Sequence, residues 1–356
     1  MSDQPPADGA MRALRLHQYG EPGEVLRLEP APIPVPAPGA IRVRVAACAL
    51  NPADWALCRG LFARDLPRGV GLDVAGVVDA VGEGVSGPAV GDAVFGPANY
   101  LDHPSAGAAD FAILDHWAAV PAGLDMPHAA ALTMAVETAW RNIDWLGVAQ
   151  GQTLLVNGAG SMVGFAAAQM ARLRGARVIA AAGPTFADRL TALGATVVPY
   201  GPGLVERVRA LGGAAPDLVF DSAPVNLKAG VVQAGDVQAG ERGDGAPGAG
   251  GLADLVQIVG GDARRVLTCV DFARAAQLGV RNGLGETPGG PDGAVLRYDV
   301  LDRFARLAAE GRFSVPVART FPLDAWREAL AISLDGRARG KLVLLMSAAV
   351  GEARAF

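Results

Sequence analysis

One stretch, LLVNGAGSMVGFAAAQMARLRGARVIAAAG from Leu154 to Gly183, constrains this chain more than any other. Leu154 to Asn157 is a short apolar run, and Gly158 to Gly164 is a turn of small residues. From Val163 to Arg174 apolar side chains recur at helical spacing through Ala166, Ala167, Met170 and Leu173. A second apolar run, Arg177 to Ala182, follows at once. Strand, turn, helix and strand in that order predict the first βαβ unit of a dinucleotide-binding domain, where backbone N–H groups at the helix start face a pyrophosphate. The window Ala159 to Gly164 has glycine only at the last expected position of Gly-x-Gly-x-x-Gly, so context carries the motif. An ordinary strand-to-helix turn of another α/β domain is the competing reading.

A chain of 356 residues is long enough for two domains. Its 51% hydrophobic and 19% charged residues fit a compact globule. The net charge is −5, lysine occurs only at Lys228 and Lys341, and no basic stripe forms, so neither nucleic acid nor an anionic membrane is an expected partner. No run approaches the roughly 18 apolar residues of a membrane span. The start, MSDQPPADGA, lacks a basic end and an apolar core and reads as a disordered leader over residues 1–10. Three scattered cysteines, Cys48, Cys58 and Cys269, argue for a reducing, cytoplasmic setting without disulfides.

From Met11 to about Ala130 short β runs alternate with Gly and Pro, predicting a small barrel-like β domain. The proline-rich PAPIPVPAPG belongs on an edge or in a connector. After Pro127 helices and strands alternate: a helix over 129–143, strands near 154–157, 177–182, 196–199, 217–221 and 265–269, and helices over 186–193 and 204–211. The fold class is therefore α/β, a doubly wound parallel sheet beside a β domain. Segments 235–251 and 283–293 are rich in Gly and read as mobile loops. A helix over 298–310, a strand VPVARTF, a helix over 323–333 and a strand over 341–346 close the chain.

This order of pieces resembles the medium-chain dehydrogenase/reductase superfamily, and within it the zinc-free quinone oxidoreductase branch. The resemblance runs from Met11 to Met346 through MRALRLHQYGEP, ALNPADW (49–55), GLDVAGVVDAVGEGV (71–85), VGDAVFG (90–96), AALTMAVETAW, the nucleotide turn and RGKLVLL (339–345). It implies a GroES-like β-barrel catalytic domain built from both ends of the chain, residues 11–130 and 284–356, with a Rossmann domain, 131–283, inserted. Zinc-containing relatives carry cysteine where this chain has Asn51 and histidine where it has Leu72, beside Asp73, so no metal is expected. His17, His103, His116 and His128 lack metal-ligand spacing.

Without zinc to polarise an alcohol, the expected chemistry is hydride delivery to a quinone or a conjugated enone, whose developing oxyanion needs a hydrogen-bond donor. The resemblance places Asn51 near the nicotinamide, holding either the cofactor ribose or a substrate oxygen; an Asx turn ahead of Pro52 is the structural alternative. Thr138 corresponds to the family threonine on the nicotinamide side, or is a buried helix threonine. The phosphates would meet the backbone of Gly160, Ser161, Met162, Val163 and Gly164. In related thioester reductases a tyrosine donates the proton where this chain has Phe62, which leaves water or Tyr100 as donor. Trp55 and Phe62 would be pocket walls or core. No carboxylate follows the strand ending Ala181, Ala182, Gly183, which favours NADPH, with Gly183, Thr185, Arg189 and Tyr200 around the adenosine phosphate. Ser222 and Ala223 end a strand at the ligand-binding edge of the sheet, and Lys341 either contacts the cofactor or is a surface lysine capping a turn.

The expectation is an NADPH-dependent, zinc-independent reductase of quinones or activated alkenes. A dedicated biosynthetic enoyl reductase and an NADPH-binding sensor or structural protein without turnover are the alternatives. The last Rossmann strand, near 278–281, would form an edge through which a homodimer pairs.

Overall fold

The computed structural model describes residues 9–223, 251–284, 295–336 and 338–346. Apart from residues 251, 283 and 284, the expected loops 235–251 and 283–293 lie outside these residues, as does most of the leader. The chain divides into two compact units, Met1–Met134 with Leu301–Phe356, and Ala135–Val300. The helix Met126–Leu146 contains that boundary.

The first unit is built on the strand Ile41–Leu50. The strand Asp73–Val81 pairs antiparallel along its whole length, Phe111–Leu114 pairs with its first half, and Lys341–Leu345 pairs with its end. Val317–Pro322 extends this sheet in parallel beside Lys341–Leu345, while Ala93–Pro97 and Ala118–Ala119 extend it on the other side. A smaller sheet orders Leu26–Pro32, Ala10–Leu16 and Arg68–Gly69. Pro30 and Pro32 sit on its edge strand, where a missing N–H breaks no ladder. The core gathers alternate positions of these strands, among them Leu14, Val43, Val74 and Leu344, with Trp326 from the helix Trp326–Leu334.

One element of this unit is absent from the β reading of the sequence. Asn51 does not open a simple Asx turn; it is the N-cap of a helix, Pro52–Cys58. Its side chain accepts from the N–H of Asp54, and the Asp54 carboxylate accepts from the Asn51 N–H at 2.6 Å. This reciprocal cap, with proline at the first helical position, starts a helix that the short apolar spacing alone does not announce.

The second unit holds a six-stranded parallel sheet in the order Thr196–Val198, Arg177–Ala181, Thr153–Asn157, Leu218–Asp221, Val266–Thr268, Arg281–Asn282. Order reverses on either side of Thr153–Asn157, the first strand of the unit, and such a switch point is where open α/β sheets bind ligands. The core packs Leu155, Val219 and Val266 against Leu204, Val208 and Leu255 of the covering helices. The edge strand begins at Arg281, later than the expected 278–281. Residues Phe272–Leu278 form a helix, and Gly279 at φ +67° ends it in the left-handed region before the strand can start.

Candidate functional site

The residues expected at the site fall mainly in two clusters, one in each unit. In the first, the sheet register itself assembles the site. Leu342 lies opposite Leu50 and Asp73 lies opposite Ala49, so both neighbouring strands begin where the central strand ends. Asn51, Asp73 and Lys341 thereby meet in one row. All three are buried, as is Asp54. Lys341 Nζ donates to Asp73 Oδ2 at 2.9 Å and also to Asn51 Oδ1. Asn51 Nδ2 donates to the same Asp73 Oδ2 at 3.0 Å and, at 3.4 Å, to the Ala49 carbonyl. The second Asp73 oxygen accepts from the Met134 N–H at 3.1 Å. Asp54 Oδ1 accepts from the Gly71 and Leu72 N–H groups, each at 3.0 Å, and so ties the helix cap to the segment that leads into Asp73.

Burial pushes Asp54 up to about 7, against the pull of the Asn51 N–H. Burial also raises Asp73, with Lys341 as the main opposing influence. The Cys48 thiol, fully buried nearby, is pushed well above its ordinary value by desolvation and then by the charge of Asp54. It is an inert core residue in that state.

Lys341 is not the surface lysine that caps a turn: its side chain is 4% exposed and bonded to Asp73 and Asn51. Trp55 lies in the core, one of the two places expected of it. It is 1% exposed in the barrel core, and its indole N–H donates to Ser333 Oγ at 2.8 Å. The inward face of Pro52–Cys58 takes it there, along with Asp54, Leu57 and Cys58. Phe62 is half-buried and takes φ +52°, the one described non-glycine residue in the left-handed region. Tyr100 packs partly against the barrel core, and burial raises its phenol to about 12. Arg68 holds its loop by donating to the carbonyls of Tyr100, Leu101 and His103.

The second cluster lies at the C-terminal ends of the parallel strands. Gly158, at φ +76°, turns the chain after Asn157, and a Cβ there would lie 2.4 Å from the main chain of Ala223. A Cβ on Gly164 would meet the Gly158 carbonyl at 2.3 Å. Ser161 caps the helix Met162–Leu173, accepting from the Gly164 N–H at 3.0 Å, so Met162 and Val163 form its first turn. Ser161 Oγ also donates to Ser222 Oγ at 3.2 Å, and Ser222 Oγ donates in turn to the Asn157 carbonyl at 3.2 Å. Gly160 has open space, its nearest neighbour being Phe186 at 3.5 Å. Beneath the turn, Asp221 accepts from Asn157 Nδ2 and Thr268 Oγ1, both at 2.8 Å, and from the Ala223 N–H at 3.3 Å.

Gly183 caps the helix Pro184–Ala192, and the ring of Tyr200 lies against it, 3.2 Å from where a Cβ would be. Thr185 and Arg189 are exposed, with the Arg189 guanidinium over the Phe186 ring at 5.8 Å. Arg207 fixes the Tyr200 segment by donating to the carbonyls of Pro199, Tyr200, Gly201 and Pro202. Thr138 is half-buried, its hydroxyl 3.4 Å from Glu137, which is paired with Arg141 at 2.6 Å.

Reading the sequence left Gly158, Asp54 and Asp73 without roles. Asn-Gly after a strand and Asn-x-x-Asp before a short helix are the signals that point to the first two. Asp73 has no local signal, because its partners are 22 and 268 residues away.

Two family patterns match the chain: Alcohol dehydrogenase GroES-like domain over residues 37–122, and Zinc-binding dehydrogenase over 193–344. A curated relative, quinone oxidoreductase of Lama guanicoe, is 37% identical over 186 residues, 51% of this chain and 55% of that protein. The chain thus spans about half the length of such curated relatives. A Spectinabilin polyketide synthase system protein of Streptomyces orinoci is 39% identical over 153 residues, 42% of this chain and 7% of that protein. Among solved structures, the quinone oxidoreductase from Coxiella burnetii superposes with a TM-score of 0.74 at 23% identity, covering 95% of this chain and 99% of the other.

A nicotinamide dinucleotide fits the second unit, where two glycines leave no room for side chains and a capped helix starts at the strand ends. Zinc does not fit the first unit. An amide stands at 51, leucine at 72, and the carboxylate of Asp73 is held by Lys341. Among the described residues no three His, Cys, Asp or Glu side chains are grouped to hold a metal ion.

Proposed function

Because the chain belongs to the medium-chain dehydrogenase/reductase superfamily, on its quinone oxidoreductase branch, we propose that it is an NADPH-dependent, zinc-independent reductase of quinones or activated alkenes. The observation that carries this reading is the side-chain set at 51, 72 and 73. Oxidising an alcohol needs a group that polarises the hydroxyl, and Asn51, Leu72 and a lysine-paired Asp73 do not supply a metal to do so. An electron-poor acceptor needs no such activation. Bound NADPH supplies the hydride.

In this reading the backbone from Gly160 to Gly164, with Ser222 and Ala223, receives the pyrophosphate, and Thr138 and Asn51 meet the nicotinamide side. Gly183, Thr185, Arg189 and Tyr200 receive the adenosine phosphate. The absence of a carboxylate after Ala181 favours the phosphorylated cofactor. The product oxyanion takes its proton from water or from Tyr100, whose raised pKa keeps the phenol protonated. The partners are a small quinone or enone and a second copy paired through the edge strand Arg281–Asn282. The setting is cytoplasmic; no described helix is long and apolar enough to cross a membrane.

The test follows loss of reduced-nicotinamide absorbance with benzoquinone, phenanthrenequinone and simple enones, with and without chelator, and with NADH in place of NADPH. Turnover that prefers NADPH and ignores the chelator is expected. A stoichiometric metal required for turnover would sink the proposal. The match to a polyketide synthase segment favours one second reading, a dedicated biosynthetic enoyl reductase. It predicts NADPH binding with no turnover on the general panel and turnover on an enoyl thioester.

A further inference from the structure

The strand register of the second unit sets Gly183 and Tyr200 side by side. Ala181 pairs with Val198, and the Ala182 N–H donates to the Val198 carbonyl at 3.0 Å. Gly183 and Tyr200 each stand two residues beyond that pair, so they leave neighbouring parallel strands together. The Tyr200 ring rests against Gly183, yet the residue is 63% exposed. An aromatic face left open at the C-terminal edge of such a sheet is placed for a ligand and not for a core.

A single cation holds this segment. Arg207, half-buried on the helix Leu204–Ala210, folds back onto residues 199–202. Its Nε donates to the Pro199 carbonyl at 3.0 Å, its Nη1 to that of Pro202 at 2.8 Å, and its Nη2 to those of Tyr200 at 3.3 Å and Gly201 at 2.9 Å. A guanidinium has five N–H donors, so four carbonyls occupy it almost fully. Carbonyl dipoles replace the water it has lost but leave its charge in place. Among the described residues no carboxylate pairs with Arg207, and its chain neighbour Glu206 is exposed. Arg189, on the helix that Gly183 caps, is exposed beside the exposed carboxylate of Asp188, so that pair adds little net charge. A partly buried cation is screened less than an exposed one and acts over several ångströms.

We propose that Arg207 is a specificity-determining residue for the phosphorylated cofactor: the charge it fixes behind the turn at 199–202 favours a phosphate on the 2′ position of the adenosine ribose, and a 2′-hydroxyl gains nothing from it. The inference deepens the NADPH-dependent reading above and rests on it. Every residue it uses belongs to the second unit. It also accounts for a side chain that spends its donors on main chain alone: the turn keeps its shape, and the charge stays available to a ligand.

The experiment titrates the full chain with 2′,5′-ADP and with 5′-AMP by calorimetry. Both probes carry only the adenosine end of the cofactor, so neither requires the nicotinamide or a substrate. The wild type should prefer 2′,5′-ADP by about tenfold or more. Arg207→Gln should weaken 2′,5′-ADP about tenfold and leave 5′-AMP within about twofold, whereas Arg207→Lys, which keeps the charge, should hold 2′,5′-ADP within about threefold of wild type. In wild type labelled with ¹⁵N-arginine, the Arg207 Nε–H signal is assigned by its loss in Arg207→Lys. It should shift on adding 2′,5′-ADP and stay in place with 5′-AMP.

Equal losses for both nucleotides in Arg207→Gln would overturn the proposal, because the residue would then only shape the turn. A fall in Arg207→Lys as deep as that in Arg207→Gln would overturn it too, since the charge would not be the cause. If Arg207→Gln does not fold, the labelled wild type decides, and a signal that ignores 2′,5′-ADP sinks the idea. A wild type that binds both nucleotides alike refutes the NADPH reading and this proposal together. A wild-type preference that survives in Arg207→Gln refutes this proposal alone.

Discussion

The two clusters reach rigidity by opposite means. In the barrel unit Asn51, Asp54, Asp73 and Lys341 are charged or strongly polar side chains that close on one another, and they come together only because two strands begin where a third ends. In the nucleotide unit the turn from Gly158 to Gly164 is made of main chain and missing side chains, with two serine hydroxyls as its only polar additions. The first cluster depends on keeping its charges in balance. The second depends on keeping space empty.

The sharpest test of that contrast is Lys341→Met, which leaves Asp73 buried and unpaired. Breaking a buried pair from one side typically costs about 3–5 kcal/mol, and urea unfolding followed by circular dichroism should show a loss of that order. A fully stable variant would mean the charges are not balanced by this contact. Next in size is Gly158→Ala. A side chain in the left-handed region costs ~1–2 kcal/mol and overpacking ~1–3 kcal/mol more. The same unfolding measurement should register about 2–5 kcal/mol, together with a large loss of nicotinamide dinucleotide binding. Gly160→Ala, with its nearest neighbour at 3.5 Å, is the control within the same turn, and a change beyond about 0.5 kcal/mol would break the claim that space is the deciding factor.

The smaller effect is a pH dependence confined to the barrel cluster. Burial holds Asp54 at about 7 against an ordinary 3.8. Between those values the folded chain keeps a proton that the unfolded chain has released, so raising the pH through this window favours unfolding, and the contribution levels off above the folded value. Denaturant midpoints measured from pH 5 to 8, a window of about three units around the raised value, should fall in the wild type more than in Asp54→Asn. Equal slopes would place the proton elsewhere.

Those differences explain how much could be read from residues alone. The turn was legible because its parts are neighbours: strand, small residues, helical spacing and second strand lie within thirty positions of each other, and Gly160 to Gly164 stand where they were expected. Gly158 was placed at the start of the turn but given no role, because a motif window starting at Ala159 passes over it. The strand near 278 was displaced because Gly279, a helix terminator, resembles a strand boundary when no contacts are known.

By itself the sequence determined the α/β class, the switch to helix and strand after residue 127, and the nucleotide turn, since each follows from the periodicity of side chains along a local stretch. It also carried the superfamily resemblance that the family patterns and relatives confirm. Only the tertiary structure decided that Trp55 belongs to the core and that Lys341 is buried against Asp73 and Asn51. The reason is physical. Whether a lysine caps a surface turn or neutralises a buried carboxylate depends on which strand lies beside it, and that partner is set by sheet register across 268 residues, which no local pattern contains.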